Sequence, residues 1–465
     1  MSELTAFDKL WRAHEVCDAG DGYSLLAIDR LLLHERTGGV ALKSLQSNGY
    51  AVRDPGRVFC IMDHVVSFKP GRSRDDSRMP GGEVFIRETR KMANAAGLNV
   101  IDTDDPNQGI VHVVAPELGI AGPGLSMLCP DSHTCSLGAL GAMAWGIGSS
   151  EAEHVLATGV LRAKKPLQMR VIIDGALRGG VTAKDLALAL ISKYGARGGQ
   201  RHAIEFAGPV VEAMSIEERL TLCNMAVEFA AQSAFIAPDQ KTLDYLEGRP
   251  HSPPRDFLRH QLSELTTDKG AVFDTELHLN ASEVSPFVSW GTSPEHSVSI
   301  HGNVPAEAED RPLSYMGLAS GDQMSQLEIG GAFLGSCTNG RLSDLKLAAE
   351  LLKGRTVAAH VEAICVPGSQ SVKREAEALG IDEIFKAAGF VWGAPGCAMC
   401  FYAGGETFPP GTRVISSTNR NFEGRQGPKV RTHLASPAIV AASAIAGHIC
   451  DPEDLPPLEG ERAHE

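Results

Sequence analysis

Three cysteine residues have a spacing that could hold a metal centre. Cys397 and Cys400 form a C-x-x-C pair, and Cys337 lies upstream in a Gly-Ser-Cys-Thr-Asn segment. Iron–sulfur clusters normally take four cysteine ligands, and structural zinc sites are closed by four ligands. Three thiolates would leave one metal position open to a substrate, which is the arrangement of a catalytic centre. A C-x-x-C pair alone also occurs in zinc and redox sites, so these alternatives stay open from the residues themselves.

Two acid–histidine pairs follow predicted strands. Asp63 directly precedes His64, and Asp131 stands two residues before His133. A carboxylate beside an imidazole orients the ring and favours its protonated form, which makes it a general acid near neutral pH. His112, which follows a turn and a short apolar pair, is a further candidate. Each of these side chains taken alone could equally be a structural group.

Other charged side chains could bind an anion or handle a proton. Glu205 lies between apolar neighbours, where a carboxylate needs a partner or has a raised pKa. Arg420 and Arg425 stand five residues apart in an Asn- and Gly-rich segment after a predicted strand. Guanidinium groups bind carboxylates in a bidentate manner, so the two arginines predict a clamp for a small di- or tricarboxylate. Solvated surface charge is the alternative.

The elements that must position these residues alternate along the chain. Predicted strands cover residues 57–62, 124–129, 168–174, 271–279, 361–366 and 413–417. Predicted helices begin near Ser149, with Ser150 and Glu153 as a capping box, and cover 182–193, with Asp185 at the capping position, 342–352 and 371–379. Cys337 falls on a strand-to-helix loop. The alternation is typical of α/β layers with mostly parallel sheets, whose strand ends carry the chemistry.

Composition limits the classes of function. A chain of 465 residues is too long for one core, and 43% hydrophobic with 22% charged residues is ordinary for a soluble protein. A net charge of −14 argues against a nucleic-acid or anionic membrane partner. With ten cysteines and no secretory signal, we expect reduced thiols and a cytosolic location. The apolar run at 437–449 is too short to span a bilayer.

Four motifs together resemble the aconitase superfamily, most closely its isopropylmalate dehydratase (isomerase) branch, which belongs to leucine biosynthesis. They are GSCTN at 335–339, PGCAMC at 395–400, DSHT at 131–134 and STNRNFEGR at 417–425. Shorter stretches agree: MDH at 62–64, GIVHV at 109–113, EHVLAT at 153–158, LCNMA at 222–226 and RTHL at 431–434. The resemblance runs nearly from end to end of the chain.

The resemblance implies a fold and a cofactor. The expected fold is the aconitase-type iron–sulfur fold, with three α/β/α subdomains of mostly parallel sheets around a cluster. We place the subdomains at residues 1–166, 167–300 and 301–465. The implied cofactor is a [4Fe-4S] cluster with three cysteine ligands and one open iron, and the matching ligands are Cys337, Cys397 and Cys400.

The resemblance also implies roles for the polar residues. Asp63 and His64 match the pair that protonates the leaving hydroxyl. The family residues that hold the water or hydroxyl correspond to His112, Asp131, His133 and Glu205. The family residues on the substrate side of the site correspond to His34, Arg420 and Arg425. The implied activity is that of a hydro-lyase, which interconverts 2- and 3-isopropylmalate by dehydration and rehydration.

A partner is implied by what the family places after this region. Aconitases continue into a mobile fourth domain that carries the serine base and another substrate arginine. In the isopropylmalate branch that domain is a separate small subunit. We therefore expect this chain to bind a small subunit that supplies the swivelling domain and the base.

Three departures from the family pattern could alter the substrate. Arg36 stands where the isopropylmalate branch has valine, Pro130 where it has glycine, and Phe401 where it has leucine. All could lie near the pocket for the substrate's side chain, which keeps a second 2-alkylmalate, citramalate or dimethylmalate, as an alternative substrate. A non-enzymatic cluster sensor that binds nucleic acid is disfavoured by the net charge. A zinc or disulfide protein is the remaining alternative.

Overall fold

The computed structural model describes residues 3–458 and consists of alternating helices and short strands. The strands are β1 (Glu15–Asp18), β2 (Tyr23–Ala27), β3 (Arg30–His34), β4 (Val58–Ile61), β5 (Asn99–Ile101), β6 (Ser126–Cys129), β7 (Met143–Gly146), β8 (Val160–Lys164), β9 (Leu167–Asp174), β10 (His202–Ala207), β11 (Ser233–Phe235), β12 (Thr275–Asn280), β13 (Phe287–Ser289), β14 (Ser297–Ser299), β15 (Gly331–Leu334), β16 (Glu362–Cys365), β17 (Val391–Trp392), β18 (Arg413–Ser416) and β19 (Arg431–Leu434). The helices are α1 (Ala6–His14), α2 (Gly38–Ser47), α3 (Gly82–Ala95), α4 (Val111–Glu117), α5 (Ser149–Thr158), α6 (Ala183–Tyr194), α7 (Pro209–Ala213), α8 (Ile216–Met225), α9 (Gln240–Leu246), α10 (Arg255–Glu264), α11 (Asp310–Met316), α12 (Leu342–Leu352), α13 (Gln370–Ala378), α14 (Ile381–Ala388) and α15 (Pro437–Ala446).

The chain forms two compact units. Among the described residues, unit 1 contains 3–65, 81–176 and 197–282, and unit 2 contains 66–80, 177–196 and 283–458. Residues 1–2 and 459–465, the outer ends of the first and third expected subdomains, lie outside the described residues. The division into three subdomains stays a prediction.

Two parallel sheets form the frame of unit 1. The first has the strand order β5-β4-β3-β6-β7, and the second has the order β11-β10-β9-β12. In the first sheet β4 reads Val-Phe-Cys-Ile and is buried at every position, as expected of a parallel strand covered on both faces. β4 and β6 both flank β3 in parallel. Asp63 and Asp131, which follow β4 and β6, therefore leave the same edge of the sheet.

The third parallel sheet belongs to unit 2 and has the order β17-β16-β15-β18-β19. Its central strand β15 reads Gly-Ala-Phe-Leu and is buried throughout. Cys337 follows β15, Cys397 follows β17 and Asn419 follows β18. The sheet therefore carries the thiol-bearing loops at its carboxyl edge. Smaller antiparallel sheets are β1-β2-β8 in unit 1 and β13-β14 in unit 2.

The predicted α/β class with mostly parallel sheets is confirmed. The start of α6 is confirmed as well: Thr182 is its N-cap, and its backbone N–H donates to Asp185 Oδ2 at 2.8 Å. The predicted capping box of α5 is wrong by two residues. Gly148 is the N-cap, and its N–H donates to Glu151 at 2.8 Å, because the helix begins at Ser149 and its third residue is Glu151. Within residues 3–458, no helix has both the length and the apolar character needed to cross a membrane.

Candidate functional site

His64 is held between two carboxylates at the edge of the first sheet of unit 1. Its Nδ1 lies 2.6 Å from Asp63 Oδ1, and its Nε2 lies 3.0 Å from Asp131 Oδ2. Asp63 is fully buried, and its second oxygen accepts a hydrogen bond of 2.8 Å from the backbone N–H of Val111. A ring with a carboxylate on each nitrogen donates on both sides, which favours the imidazolium form. His64 can therefore hold a proton for transfer.

Asp131 connects the histidines of unit 1. Its Oδ1 lies 2.8 Å from Nε2 of His112, on α4, and accepts a 2.7 Å hydrogen bond from the backbone N–H of His133. Burial opposes its ionisation, but the charges and hydrogen bonds of His112 and His64 hold the pKa of Asp131 well below its usual range. Asp131 is thus an anion that fixes the imidazoles of His64 and His112 and the backbone at His133.

His34 stacks on His64 and differs from it in protonation. The two ring centroids are 3.7 Å apart with an interplanar angle of 15°. Nε2 of His34 lies 3.1 Å from the carbonyl oxygen of Pro130, which also accepts from the hydroxyl of Thr37 at 3.2 Å. Burial first, and then the charge of His64, lowers the pKa of His34 to about 4. His34 is therefore neutral near pH 7, with its proton on Nε2 and Nδ1 left as an acceptor.

The carboxylate that contacts His133 is Glu228. Nε2 of His133 lies 2.9 Å from Glu228 Oε1, and both side chains are buried. Glu228 belongs to a 3-10 turn, Ala226–Phe229, that directly follows α8. The sequence pattern did not single out Glu228, although the LCNMA stretch at 222–226, which resembles the family, ends two residues before it.

Glu205 makes its contacts elsewhere in unit 1. Its carboxylate bonds to the hydroxyl of Thr267 at 2.5 Å, and it lines a cavity of about 450 Å³ together with Arg170 and Arg219. Burial raises the pKa of Glu205, as the sequence predicted for a carboxylate among apolar neighbours. The described residues that line this cavity do not include the histidines of the Asp131 network. Its contacts therefore give the expected role of Glu205 no support, and Glu228 replaces it as the candidate.

Glu35 fixes the backbone that carries the first acid–histidine pair. It is fully buried, and its two oxygens accept hydrogen bonds from the N–H groups of Asp63 at 3.0 Å and Val65 at 2.5 Å. Burial and the neighbouring charge of Asp63 raise the pKa of Glu35. Glu35 therefore holds the Asp63–Val65 segment in place. In the sequence it is distinguished only by its position directly after His34.

The thiol-bearing loops of unit 2 have unusual backbone angles. Ser336, directly before Cys337, has φ of 86°, and Ala398, directly after Cys397, has φ of 45°. The C-x-x-C pair is closed by a hydrogen bond of 2.9 Å from the N–H of Cys400 to the carbonyl oxygen of Cys397. Non-glycine residues in the left-handed region are uncommon and concentrate at functional sites. A residue with this unusual backbone conformation therefore stands next to Cys337 in one loop and next to Cys397 in the other.

Polar groups surround the sulfur atoms of these cysteines. The amide of Asn419 donates from Nδ2 to Cys337 Sγ at 3.4 Å, and its Oδ1 lies 3.8 Å from Cys400 Sγ. Nη2 of Arg425 donates to Cys400 Sγ at 3.6 Å. Donors and cations next to sulfur stabilise thiolate, the form that binds metal. Asn419 therefore links two of the three predicted ligands.

The predicted clamp residues share the loop between β18 and β19. Arg425 is half-buried, its guanidinium lies 5.4 Å from the ring centroid of Phe401 and 5.3 Å from that of Phe422, and its Nε has no hydrogen-bond partner among the described residues. Arg420 is half-buried in the same loop. Two of the three departures from the family pattern thus contact predicted substrate residues: Pro130 contacts His34, and Phe401 contacts Arg425.

The residues of unit 2 fit an iron–sulfur cluster. Cys337, Cys397 and Cys400 carry thiols, and each is only 7% exposed. The amide of Asn419 and the guanidinium of Arg425 donate to sulfur, as second-sphere groups do at clusters. The donor set is sulfur alone, which suits iron–sulfur chemistry better than a hard oxygen-ligated cation.

Two comparisons with known protein sequences match nearly the full length of this chain. A family model described as "Aconitase family (aconitate hydratase)" matches residues 8–447. The 3-isopropylmalate dehydratase large subunit 1 of Bradyrhizobium diazoefficiens is 46% identical over 460 residues, which cover 96% of each chain. Among solved structures, the holo-form of aconitase X from Thermococcus kodakaraensis aligns over 85% of this chain and 84% of its own, with a TM-score of 0.44 and 14% identity.

Proposed function

Because the chain belongs to the aconitase family, we propose that it is the large subunit of a hydro-lyase that interconverts 2- and 3-isopropylmalate in leucine biosynthesis. The name of the Bradyrhizobium relative supports this substrate. The observation that supports the reaction type is the position of His64 between Asp63 and Asp131. Dehydration must deliver a proton to a poor leaving group, and a held imidazolium can deliver it.

The Asp131 network provides for this proton transfer. Asp63 fixes Nδ1 of His64, so the ring loses its proton from Nε2, on the side of Asp131. Asp131 keeps its negative charge because of His112 and His64, and it stabilises the imidazolium before transfer. Glu228 orients His133 in the same manner through Nε2. The neutral His34 adds an acceptor, Nδ1, beside the charged ring.

Cys337, Cys397 and Cys400 are the residues that would hold a [4Fe-4S] cluster. When bound, such a cluster with three protein ligands supplies an open iron that acts as a Lewis acid on the departing hydroxyl. The chain's own contribution is to donate hydrogen bonds to two of the sulfur atoms, from Asn419 to Cys337 and from Arg425 to Cys400. Cys337 and the C-x-x-C pair, far apart in the sequence, follow strands of one sheet and leave it at the same edge, because β15, β16, β17 and β18 run parallel.

Arg420 and Arg425 are the proposed binding groups for the substrate carboxylates. A guanidinium offers a planar fork that matches a carboxylate. The Nε of Arg425 has no hydrogen-bond partner among the described residues. If the side chain moves, this N–H can donate a hydrogen bond to a bound anion. The neighbouring Phe401 and Phe422 rings restrict the guanidinium plane, which favours one orientation of the bound carboxylate.

A small subunit is the proposed partner. The name of the Bradyrhizobium relative describes it as a large subunit, which supports a two-chain enzyme. We propose that the small chain carries the swivelling domain and the serine base that takes the proton from carbon. On this proposal the large chain alone binds cluster and substrate groups but turns over slowly or not at all.

Anaerobic turnover of the two-chain complex tests the proposal. The large chain is co-purified with its small subunit, and the absorbance of the alkene product is followed with 3-isopropylmalate, citramalate, dimethylmalate and citrate. Turnover of 3-isopropylmalate well above the others supports the proposed substrate. Turnover of another alkylmalate with an intact cluster spectrum would overturn the substrate and keep the reaction type. Zinc without sulfide in the purified complex would overturn both.

A further inference from the structure

A buried lysine of unit 2 lies next to the thiol-bearing loops. Lys184 is the second residue of α6 and is fully buried. Its Nζ donates to the carbonyl oxygens of Ser417, at 2.5 Å, and Thr418, at 2.6 Å. These two residues directly precede Asn419, whose amide contacts the sulfur atoms of Cys337 and Cys400. The lysine is therefore one residue away, through the backbone, from the group that links two predicted ligands.

The charge of Lys184 lacks a direct counterion in the described part of the chain. Its hydrogen bonds go to carbonyl oxygens, and it forms no ion pair with a described carboxylate. Asp185 is engaged by Thr182 and by the N–H of Phe287 instead. Burial lowers the pKa of Lys184 to about 7, against the opposing charges of Asp344, Asp185, Cys400 and Cys337. Cys400 and Cys337 are thus among the groups whose charge would favour the ammonium form of Lys184.

An unpaired buried ammonium is costly, because removal of one charge from water is compensated only by a nearby opposite charge. Three thiolates around a cluster core make an anionic assembly. Such an assembly beside Lys184 would supply the missing negative charge. Buried lysines without a carboxylate partner are expected where a bound anion, and not a side chain, completes the pair.

We propose that Lys184 is a positioning residue for the iron–sulfur site, whose positive charge offsets that of the thiolate-held cluster and whose hydrogen bonds fix the Ser417–Asn419 segment. The inference rests on the proposed function, since it requires the cluster. Lys184 then has two effects: the ammonium raises the reduction potential of the cluster, and the hydrogen bonds of the lysine hold the segment that carries Asn419 beside the sulfur atoms.

The test compares three variants of the full chain, reconstituted anaerobically with iron and sulfide. Lys184→Met removes the charge at similar side-chain length, and Lys184→Arg keeps the charge. Lys193→Met is the matched control, since Lys193 is an exposed lysine on the same helix, about 13 Å further along its axis. The measurement is the midpoint potential of the cluster, followed by EPR during a reductive titration.

We expect Lys184→Met to shift the midpoint to a more negative potential, because loss of a nearby cation disfavours the added electron. Lys184→Arg and Lys193→Met should stay near the wild type. Equal potentials in all four proteins would overturn the role of Lys184 and leave the proposed function intact. A wild-type chain that takes up no cluster would overturn the proposed function instead.

A second measurement covers the case in which Lys184→Met takes up no cluster. In the cluster-free chain, the alkylation rates of Cys337 and Cys400 are measured by peptide mapping at neutral pH. Loss of the hydrogen bonds to the Ser417 and Thr418 carbonyls should loosen the segment that carries Asn419 and raise both rates by about tenfold, because the two buried sulfur atoms become accessible. Unchanged rates in Lys184→Met would overturn the inference. Alkylation of the exposed Cys17 is the internal reference.

Discussion

Oε1 of Glu228 lies 2.9 Å from Nε2 of His133. His133 belongs to the segment that follows β6, and Glu228 belongs to the turn that follows α8. Both side chains are buried, so the carboxylate fixes the tautomer and the orientation of the ring. Asp63 contacts a ring nitrogen of His64 in a similar way. Both histidine residues also contact Asp131.

Glu228→Gln should lower kcat by about 10²-fold, because an amide no longer favours the protonated imidazole. Glu205→Gln is the comparison variant, since Glu205 was expected among the groups that hold the water or hydroxyl and the structure pairs it with Thr267. Steady-state kinetics of the two-chain complex decide between them. A larger loss of kcat in Glu205→Gln than in Glu228→Gln would restore the original expectation.

The difference between these two glutamates shows what the sequence could and could not predict. Asp63, His64 and Asp131 were found because they directly follow strands, and parallel strands bring their carboxyl ends to one edge. Glu228 follows a helix, and only the packing of α8 against the Ser132–Leu140 segment brings it to His133. Nothing local distinguishes such a residue from a surface carboxylate.

The same limit applies to unit 2. The elements α12 and β18 were predicted almost to the residue, since both are short, strongly patterned segments. The burial of Lys184 was not predicted, because a lysine at the start of a helix normally faces solvent. Its contact with the Ser417 and Thr418 carbonyls depends on the tertiary position of α6.

Asp63→Asn should reduce kcat by about 10²- to 10⁴-fold, the range expected for loss of general acid catalysis. The amide removes the negative charge from Nδ1 of His64 while it keeps the side-chain shape. The control is His154→Asn, since His154 is an exposed residue of α5. The variants are compared by kcat and by thermal melting. A folded Asp63→Asn enzyme with wild-type kcat would remove His64 from the role of acid.

Cys337→Ser should abolish uptake of the cluster, because a serine oxygen is a poor ligand for iron in a sulfur-only site. Iron and sulfide content and the visible absorption spectrum measure the effect after anaerobic reconstitution. Cys17→Ser, at an exposed cysteine of β1, is the control and should retain both. An unchanged spectrum in Cys337→Ser would refute the ligand assignment.

Gly405→Ala should destabilise unit 2 more than Gly411→Ala. Both glycines have a positive φ, 85° and 88°, so both substitutions share a conformational cost of about 1 kcal/mol. A Cβ at Gly405 would lie 2.3 Å from the carbonyl carbon of Arg78, whereas a Cβ at Gly411 meets open space. We expect the free energy of unfolding to fall by about 3 kcal/mol at Gly405 and about 1 kcal/mol at Gly411, as measured by urea denaturation. Equal losses would mean that the Arg78 backbone moves aside at no cost.

Glu406 should make the stability of the protein depend on pH. Its Oε1 accepts hydrogen bonds from the hydroxyl of Ser67, at 2.9 Å, and from the N–H of Phe68, at 3.2 Å. Burial nevertheless raises its pKa to about 7. A carboxyl with a raised pKa in the folded state stabilises the protein below its ordinary pKa, and this contribution is lost as the pH rises through about 7.

Glu406→Gln stays neutral, so it should be more stable than the wild type at about pH 8, by on the order of 2 kcal/mol, and similar to it below about pH 5. Thermal melting across this pH range measures the difference. Glu362→Gln, at an exposed carboxylate that lines a cavity together with Glu406, should keep the pH dependence of the wild type. If Glu406→Gln instead melts in parallel with the wild type at every pH, the buried carboxyl ionises without a folding cost. The hydrogen bonds of Glu406 with the Ser67 hydroxyl and the Phe68 N–H then do not depend on its proton.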